Sequence, residues 1–121
     1  MSERPRFTVQ RVSPEQAGVT VLELAGQLDA HTATEFERFL EQTVRVERRL
    51  LLVLECRGLD YISSAGLGVL MGLIEEVRTQ GGDIKLAALP DKIFHVLDLL
   101  GFPLVFQIFP TSTEAEQAFG L

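Results

Sequence analysis

Apolar and polar residues alternate over Phe7-Thr8-Val9-Gln10-Arg11-Val12 and again over Gly18-Val19-Thr20-Val21-Leu22-Glu23-Leu24-Ala25. A period of two marks a strand with one buried face, and Ser13-Pro14-Glu15-Gln16 supplies turn residues between the runs, so this segment reads as a two-stranded hairpin. After Gly26 the period lengthens: Phe36, Phe39, Leu40 and Val44 fall on one stripe of a helix, and Thr32 followed by Glu35 has the form of a capping box at its start. Leu50-Leu51-Leu52-Val53-Leu54 is apolar without alternation, which predicts a central strand covered on both faces. From Ser64 to about Thr79, Leu67, Leu70, Met71, Ile74 and Val77 recur at helical spacing opposite Glu75, Glu76 and Arg78, and Gly81-Gly82 ends this second helix. Asp83 to Ala87 alternates as a further strand. Pro90 then opens a third helix with Ile93, Val96, Leu97 and Leu100 inward, closed by Gly101. A short strand over Leu104 to Ile108 and a last helix capped by Thr111 and Glu114, with Ala115, Ala118 and Phe119 on one side, complete the pattern. The order ββαβαβαβα predicts an α/β fold with a small mixed β-sheet of four to five strands and about four α-helices.

Composition narrows this picture. A chain of 121 residues, 46% of them hydrophobic, supplies one core and no second, so a single domain with its core over about residues 7 to 119 is expected. Cys56 is the only cysteine, which excludes an intrachain disulfide and points to a reducing, cytoplasmic setting. Eleven Lys and Arg against 17 Asp and Glu give a net charge of −6, which opposes docking to a nucleic-acid backbone or an anionic membrane surface. No apolar run approaches the roughly 20 residues of a membrane span, and Met1-Ser2-Glu3-Arg4-Pro5 leads into no apolar segment of a secretory signal. Neither nucleic acid nor membrane is the expected partner.

Catalytic chemistry finds little to work with. His31 and His95 lie in separate helical regions outside any metal-ligand spacing, and read as a helix-start residue and a solvated helix-face residue. Cys56, at the end of a buried strand with no histidine near it in sequence, reads as an inert core residue. Gly66-Leu67-Gly68-Val69-Leu70-Met71-Gly72 approaches the dinucleotide pattern GxGxxG, but its last glycine comes one residue late and the cluster lies inside a helix. Small residues packing that helix against the sheet account for it better. No phosphate-binding GxxxxGK[ST] loop and no GxSxG elbow occurs, so no catalytic residue, metal or cofactor is expected.

What stands out is Leu59-Asp60-Tyr61-Ile62-Ser63-Ser64-Ala65-Gly66-Leu67, between the central strand and the most buried helix. One serine hydroxyl at a helix start can accept from an orphan N2 or N3 amide. The second of a pair is left over, at a place where free amides and the positive end of the helix dipole stabilise a phosphate. A phosphate there adds roughly −1.5 to −2 charges and could abolish docking to a partner without altering the fold.

Three blocks carry a family resemblance. Leu24-Ala25-Gly26-Gln27-Leu28-Asp29-Ala30-His31-Thr32-Ala33 is similar to a strand-to-helix block L-x-G-x-L-D-x-x-T-A. The Leu59 to Leu70 segment is similar to a phosphorylation loop with [FY]-[IM]-[DS]-S-[STA]-G-[LI], met here by Tyr61 to Leu67. Gly81-Gly82 with Val96-Leu97-Asp98-Leu99-Leu100-Gly101-Phe102 is similar to a closing pattern. In these blocks, in this order, the chain resembles the STAS domains, and specifically the stand-alone bacterial anti-sigma factor antagonists of partner-switching systems. The resemblance implies a non-enzymatic protein that, unphosphorylated, holds an anti-sigma factor that is also a serine-protein kinase. Phosphorylation by that kinase releases it, and a PP2C-type phosphatase restores the complex. The resemblance implies Ser64 as the phosphoacceptor and Gln27, Asp29, Thr32, Ser63, Ala65 and Gly66 as the partner-binding positions. Ser63 stands where the family often has Asp, Gln27 where Glu is frequent, and Ala65 where a second Ser or Thr is common. The alternative is a phosphorylation-independent STAS scaffold in a signalling or lipid-transport complex, in which the two serines only cap the helix.

Overall fold

In the computed structural model the apolar run at Leu52-Val53-Leu54 is fully buried in the middle of a five-stranded sheet. Residues 6–12 and 18–120 are described; the expected turn at Ser13-Pro14-Glu15-Gln16 and the segment Met1-Ser2-Glu3-Arg4-Pro5 lie outside them. The strands are β1 (Phe7–Arg11), β2 (Thr20–Leu28), β3 (Leu51–Ile62), β4 (Asp83–Ala87) and β5 (Ile108–Phe109), arranged in chain order. β1 runs antiparallel to β2, with Phe7 opposite Gly26 and Arg11 opposite Leu22. β2 to β5 are mutually parallel.

Parallel neighbours need crossovers, and these are α1 (Ala33–Glu41), continued by a π-helical turn over Gln42–Val46, then α2 (Ser64–Thr79) and α3 (Asp91–Leu99). Right-handed crossovers that always advance in the same direction put their helices on one face of the sheet. Phe36 and Leu40 of α1, Leu67, Leu70 and Val77 of α2 and Ile93 and Leu97 of α3 accordingly share one core with Leu22, Leu54 and Leu86. Burying each such side chain contributes about 1.5–3 kcal/mol. The opposite face carries α4 (Ser112–Gln117), whose Ala115 packs on Val21, Val53 and Ala87. Lys85 lies beneath it at 5% exposure. Its ammonium sits 4.5 Å from the Phe119 ring centre and 5.9 Å from that of Phe109, with the Asp83 carboxylate at 3.4 Å and the Gln107 amide oxygen as a further acceptor. Paired and stacked in this way, a buried cation is tolerated.

Several boundaries differ from the sequence reading. β2 continues past Gly26 to Leu28, and β3 runs on through Cys56 to Ile62, so Cys56 lies within the strand and not at its end. β5 has two residues where Leu104 to Ile108 was expected, because Phe102–Leu104 turn as a 3-10 helix after Gly101. Phe102 and Phe106 are both buried and stack with ring centres 5.5 Å apart. Met71, Val96 and Leu100, expected inward, are exposed, as is Ala118. Among the described residues no helix is long and apolar enough to cross a membrane.

Candidate functional site

The C-terminal ends of β2 and β3 lie side by side, with Leu28 opposite Ile62 and the Ser63 N–H donating to the Leu28 carbonyl at 2.8 Å. Immediately beyond, each chain segment enters a helix, so the starts of α1 and α2 open at the same edge of the sheet.

At the start of α2, Ser63 is the N-cap in extended conformation. Its Oγ accepts from the Gly66 N–H at 3.3 Å, and its carbonyl takes the first helical bond from Leu67 at 3.0 Å. This satisfies one of the orphan donors of the first turn. Ser64 is the first helical residue, exposed, and its hydroxyl has no hydrogen-bond partner among the described residues. Ala65 is exposed beside it, and Gly66 is buried. A Cβ on Gly66 would stand 2.7 Å from Leu28 Cγ and 3.2 Å from Ile62 Cγ1, so only glycine lets the first turn of α2 sit directly on the strand ends. Gly68 and Gly72, by contrast, pack against nothing, since a Cβ at either would meet open space. The expectation that they seat the helix on the sheet holds for Gly66 alone.

The neighbouring turn between β2 and α1 is organised by Asp29. Its Oδ1 accepts from the backbone N–H groups of His31 at 2.9 Å and Thr32 at 3.0 Å, and its Oδ2 from the Arg6 guanidinium at 3.1 Å. These donors, the Thr32 amide foremost, hold the carboxyl below its ordinary value of 3.8 against an opposing effect of desolvation. Thr32 does not form the expected capping box. Its buried hydroxyl donates to the Gln27 carbonyl at 2.8 Å and accepts from the Asp29 N–H at 2.9 Å, so it has turned back toward β2, and Glu35 is left exposed. Asp29 serves the amides at this helix entry instead.

The sequence-derived positions therefore fall in two adjoining groups at one edge: Ser63, Ser64, Ala65 and Gly66 at the start of α2, and Gln27, Asp29 and Thr32 at the turn before α1. Gln27, Ser64 and Ala65 are exposed and Asp29 and Ser63 partly so, whereas Thr32 and Gly66 are buried. Two neighbours escaped the sequence reading. Arg6 reaches Asp29 because the β1–β2 register brings it beside Gln27, and Tyr61, opposite Gln27 on β3, is 50% exposed. The register could have shown the first; an aromatic in a strand gives no sign of its exposure. His31 lies exposed in the turn just before α1, and His95 is exposed on α3, as read. Burial pushes the Cys56 thiol up to about 12, with Glu55 reinforcing it, which leaves a protonated core residue and no nucleophile.

Comparison with known proteins bears on this geometry. A sequence model described as the STAS domain matches residues 10–115. The anti-sigma F factor antagonist of Paenibacillus polymyxa is 24% identical over 98 residues, which cover 81% of this chain and 84% of that protein. Among solved structures, an anti-sigma factor antagonist from Mycobacterium paratuberculosis superposes with a TM-score of 0.82 at 22% identity, covering 93% of this chain and 92% of the other. The Bacillus cell fate determinant SpoIIAA in its phosphorylated form superposes with a TM-score of 0.71 at 18% identity, covering 93% and 99%.

Proposed function

The chain belongs to the STAS-domain family, and from that membership we propose that it is an anti-sigma factor antagonist whose partner is released when Ser64 is phosphorylated. The observation that carries this reading is the division of labour between the two serines: Ser63 Oγ is committed to the Gly66 amide, while the Ser64 hydroxyl is exposed and uncommitted. The name of the Paenibacillus relative supports the role, and SpoIIAA is a protein of this fold that exists in a phosphorylated form.

In this reading the unmodified protein is a cytoplasmic, non-enzymatic switch that docks on an anti-sigma factor with serine-kinase activity. ATP, its metal ion and the base for phosphoryl transfer belong to the kinase. Gln27, Asp29, Ser63 and Ala65 offer the contact surface, and the buried Thr32 and Gly66 hold that surface in shape. A phosphate on Ser64 places roughly −1.5 to −2 charges at the start of a helix of 16 residues. The helix dipole offsets that charge within the chain, so the fold persists, whereas a partner fitted to a neutral hydroxyl meets a bulky anion next to Asp29. A PP2C-type phosphatase resets the switch.

The test is reconstitution with the cognate kinase and ATP, followed by phosphosite mapping by mass spectrometry and an affinity measurement. The expected result is phosphate on Ser64, binding weakened by roughly tenfold or more, and a Ser64→Ala variant that binds normally and takes no phosphate. Phosphate on another residue, or affinity indifferent to phosphorylation, overturns the assignment and returns the chain to the scaffold reading.

A further inference from the structure

A second surface lies at the lateral edge of the sheet. β1 is one of the sheet's two outer strands, paired with β2 on one side only among the described residues. The Gln27 N–H bonds the Arg6 carbonyl and the Val12 N–H the Val21 carbonyl, which fixes the residues of β1 that face β2. The alternation of an antiparallel ladder then turns the backbone N–H and C=O groups of Phe7 and Val9 outward. A strand edge of this kind is a template for another strand unless charge, proline or a covering element blocks it.

Beside this edge a groove of about 690 Å³ runs between β1 and α1, lined by Phe7, Val9, Gln10, Glu35, Arg38 and Phe39. Its two charges are of opposite sign and one turn apart on α1. Arg6, Arg45 and Arg78 each pair with a carboxylate of this chain, but among the described residues neither Arg38 nor Glu35 has an ion-pair partner.

We infer that this face binds a second copy of the chain, with β1 pairing antiparallel to its counterpart about a two-fold axis at Val9. A two-fold interface must be self-complementary, and this surface has the required elements. The strand edge offers donors and acceptors alike. The partly exposed Val9 and Phe39 of both copies close over the buried Phe7 into one apolar seam. Arg38 of each copy faces Glu35 of the other. The result is a continuous sheet through both molecules, with the Ser64 edge left open.

The test is sedimentation of the full, unphosphorylated chain over a concentration series reaching about 1 mM, with no other protein present, so its outcome does not depend on the Ser64 reading. The expected result is a mass that doubles with rising concentration. Val9→Pro removes the outward N–H without touching a bond to β2, and is expected to stay monomeric with an unchanged circular dichroism spectrum. Glu35→Arg and Arg38→Glu should each weaken association at least several-fold, and the double variant should recover it. A wild type that is monomeric throughout overturns the inference and leaves the groove to an extended segment of another protein. A dimer unaffected by all these substitutions, or a double variant no better than the single ones, overturns it as well.

Discussion

At position 63 a serine hydroxyl is bound to the backbone, and at position 64 the same group is free. The two substitutions to alanine should therefore separate in a denaturant titration. Ser63→Ala removes the cap of α2 and is expected to cost about 1 kcal/mol. Ser64→Ala, at an exposed site with no bond to lose, is expected to stay within about 0.5 kcal/mol. Equal costs would mean that Ser64 also serves the helix and is not held in reserve. This pair was legible in the sequence because one helix entry has use for one N-cap side chain, and a second hydroxyl stood out by arithmetic. Thr32 was not legible in the same way. The capping-box pattern with Glu35 is present, but the extra residues of β2 bring the Gln27 carbonyl within reach of the Thr32 hydroxyl, and a local rule has no view of where a strand ends.

Within α2, Gly68 and Gly72 lie on the exposed face with nothing near where a Cβ would be, while Gly66 is pressed against Leu28. Glycine in a helix interior costs roughly 0.8–1.0 kcal/mol relative to alanine. Gly68→Ala with Gly72→Ala is expected to raise unfolding stability by about 1–2 kcal/mol, read as a higher denaturation midpoint, and Gly66→Ala to lower it. A double variant with an unchanged midpoint would overturn this expectation, and a lowered one would show that the fold needs glycine at these positions. Elements with strong periodicity, such as α2 and β4, were legible almost to the residue. The failures have identifiable causes. β3 passes through Glu55-Cys56-Arg57-Gly58, where charged residues, a glycine and register shifts against β2 break the apolar run, so its second half read as loop. The Leu104 to Ile108 segment alternates, but its neighbours Phe102 and Phe106 bury together across a turn and leave only two residues for the sheet. Val96, Leu100 and Met71 fit a helical stripe by spacing, yet α3 and the adjoining face of α2 have no further layer to cover them.

The molecule as a whole has two unequal cores. Three helices cover one face of the sheet, while α4 alone among the described helices covers part of the other, through Ala115 and the aromatic pair around Lys85. Regions with few buried apolar contacts open below the global unfolding free energy. Amide hydrogen exchange should therefore find α4 exchanging by local opening, with Leu52, Val53 and Leu54 of β3 protected up to global unfolding. Equal protection would show that the two faces unfold together. The order of the strands has a consequence for synthesis. Each strand after β1 pairs with the one made just before it, so every new segment leaving the ribosome finds its template already in place and waits for nothing still to be translated. Such a sheet can assemble from its first strand to its last in step with elongation, and the last described helix to join it, α4, anchors through one buried residue, Ala115.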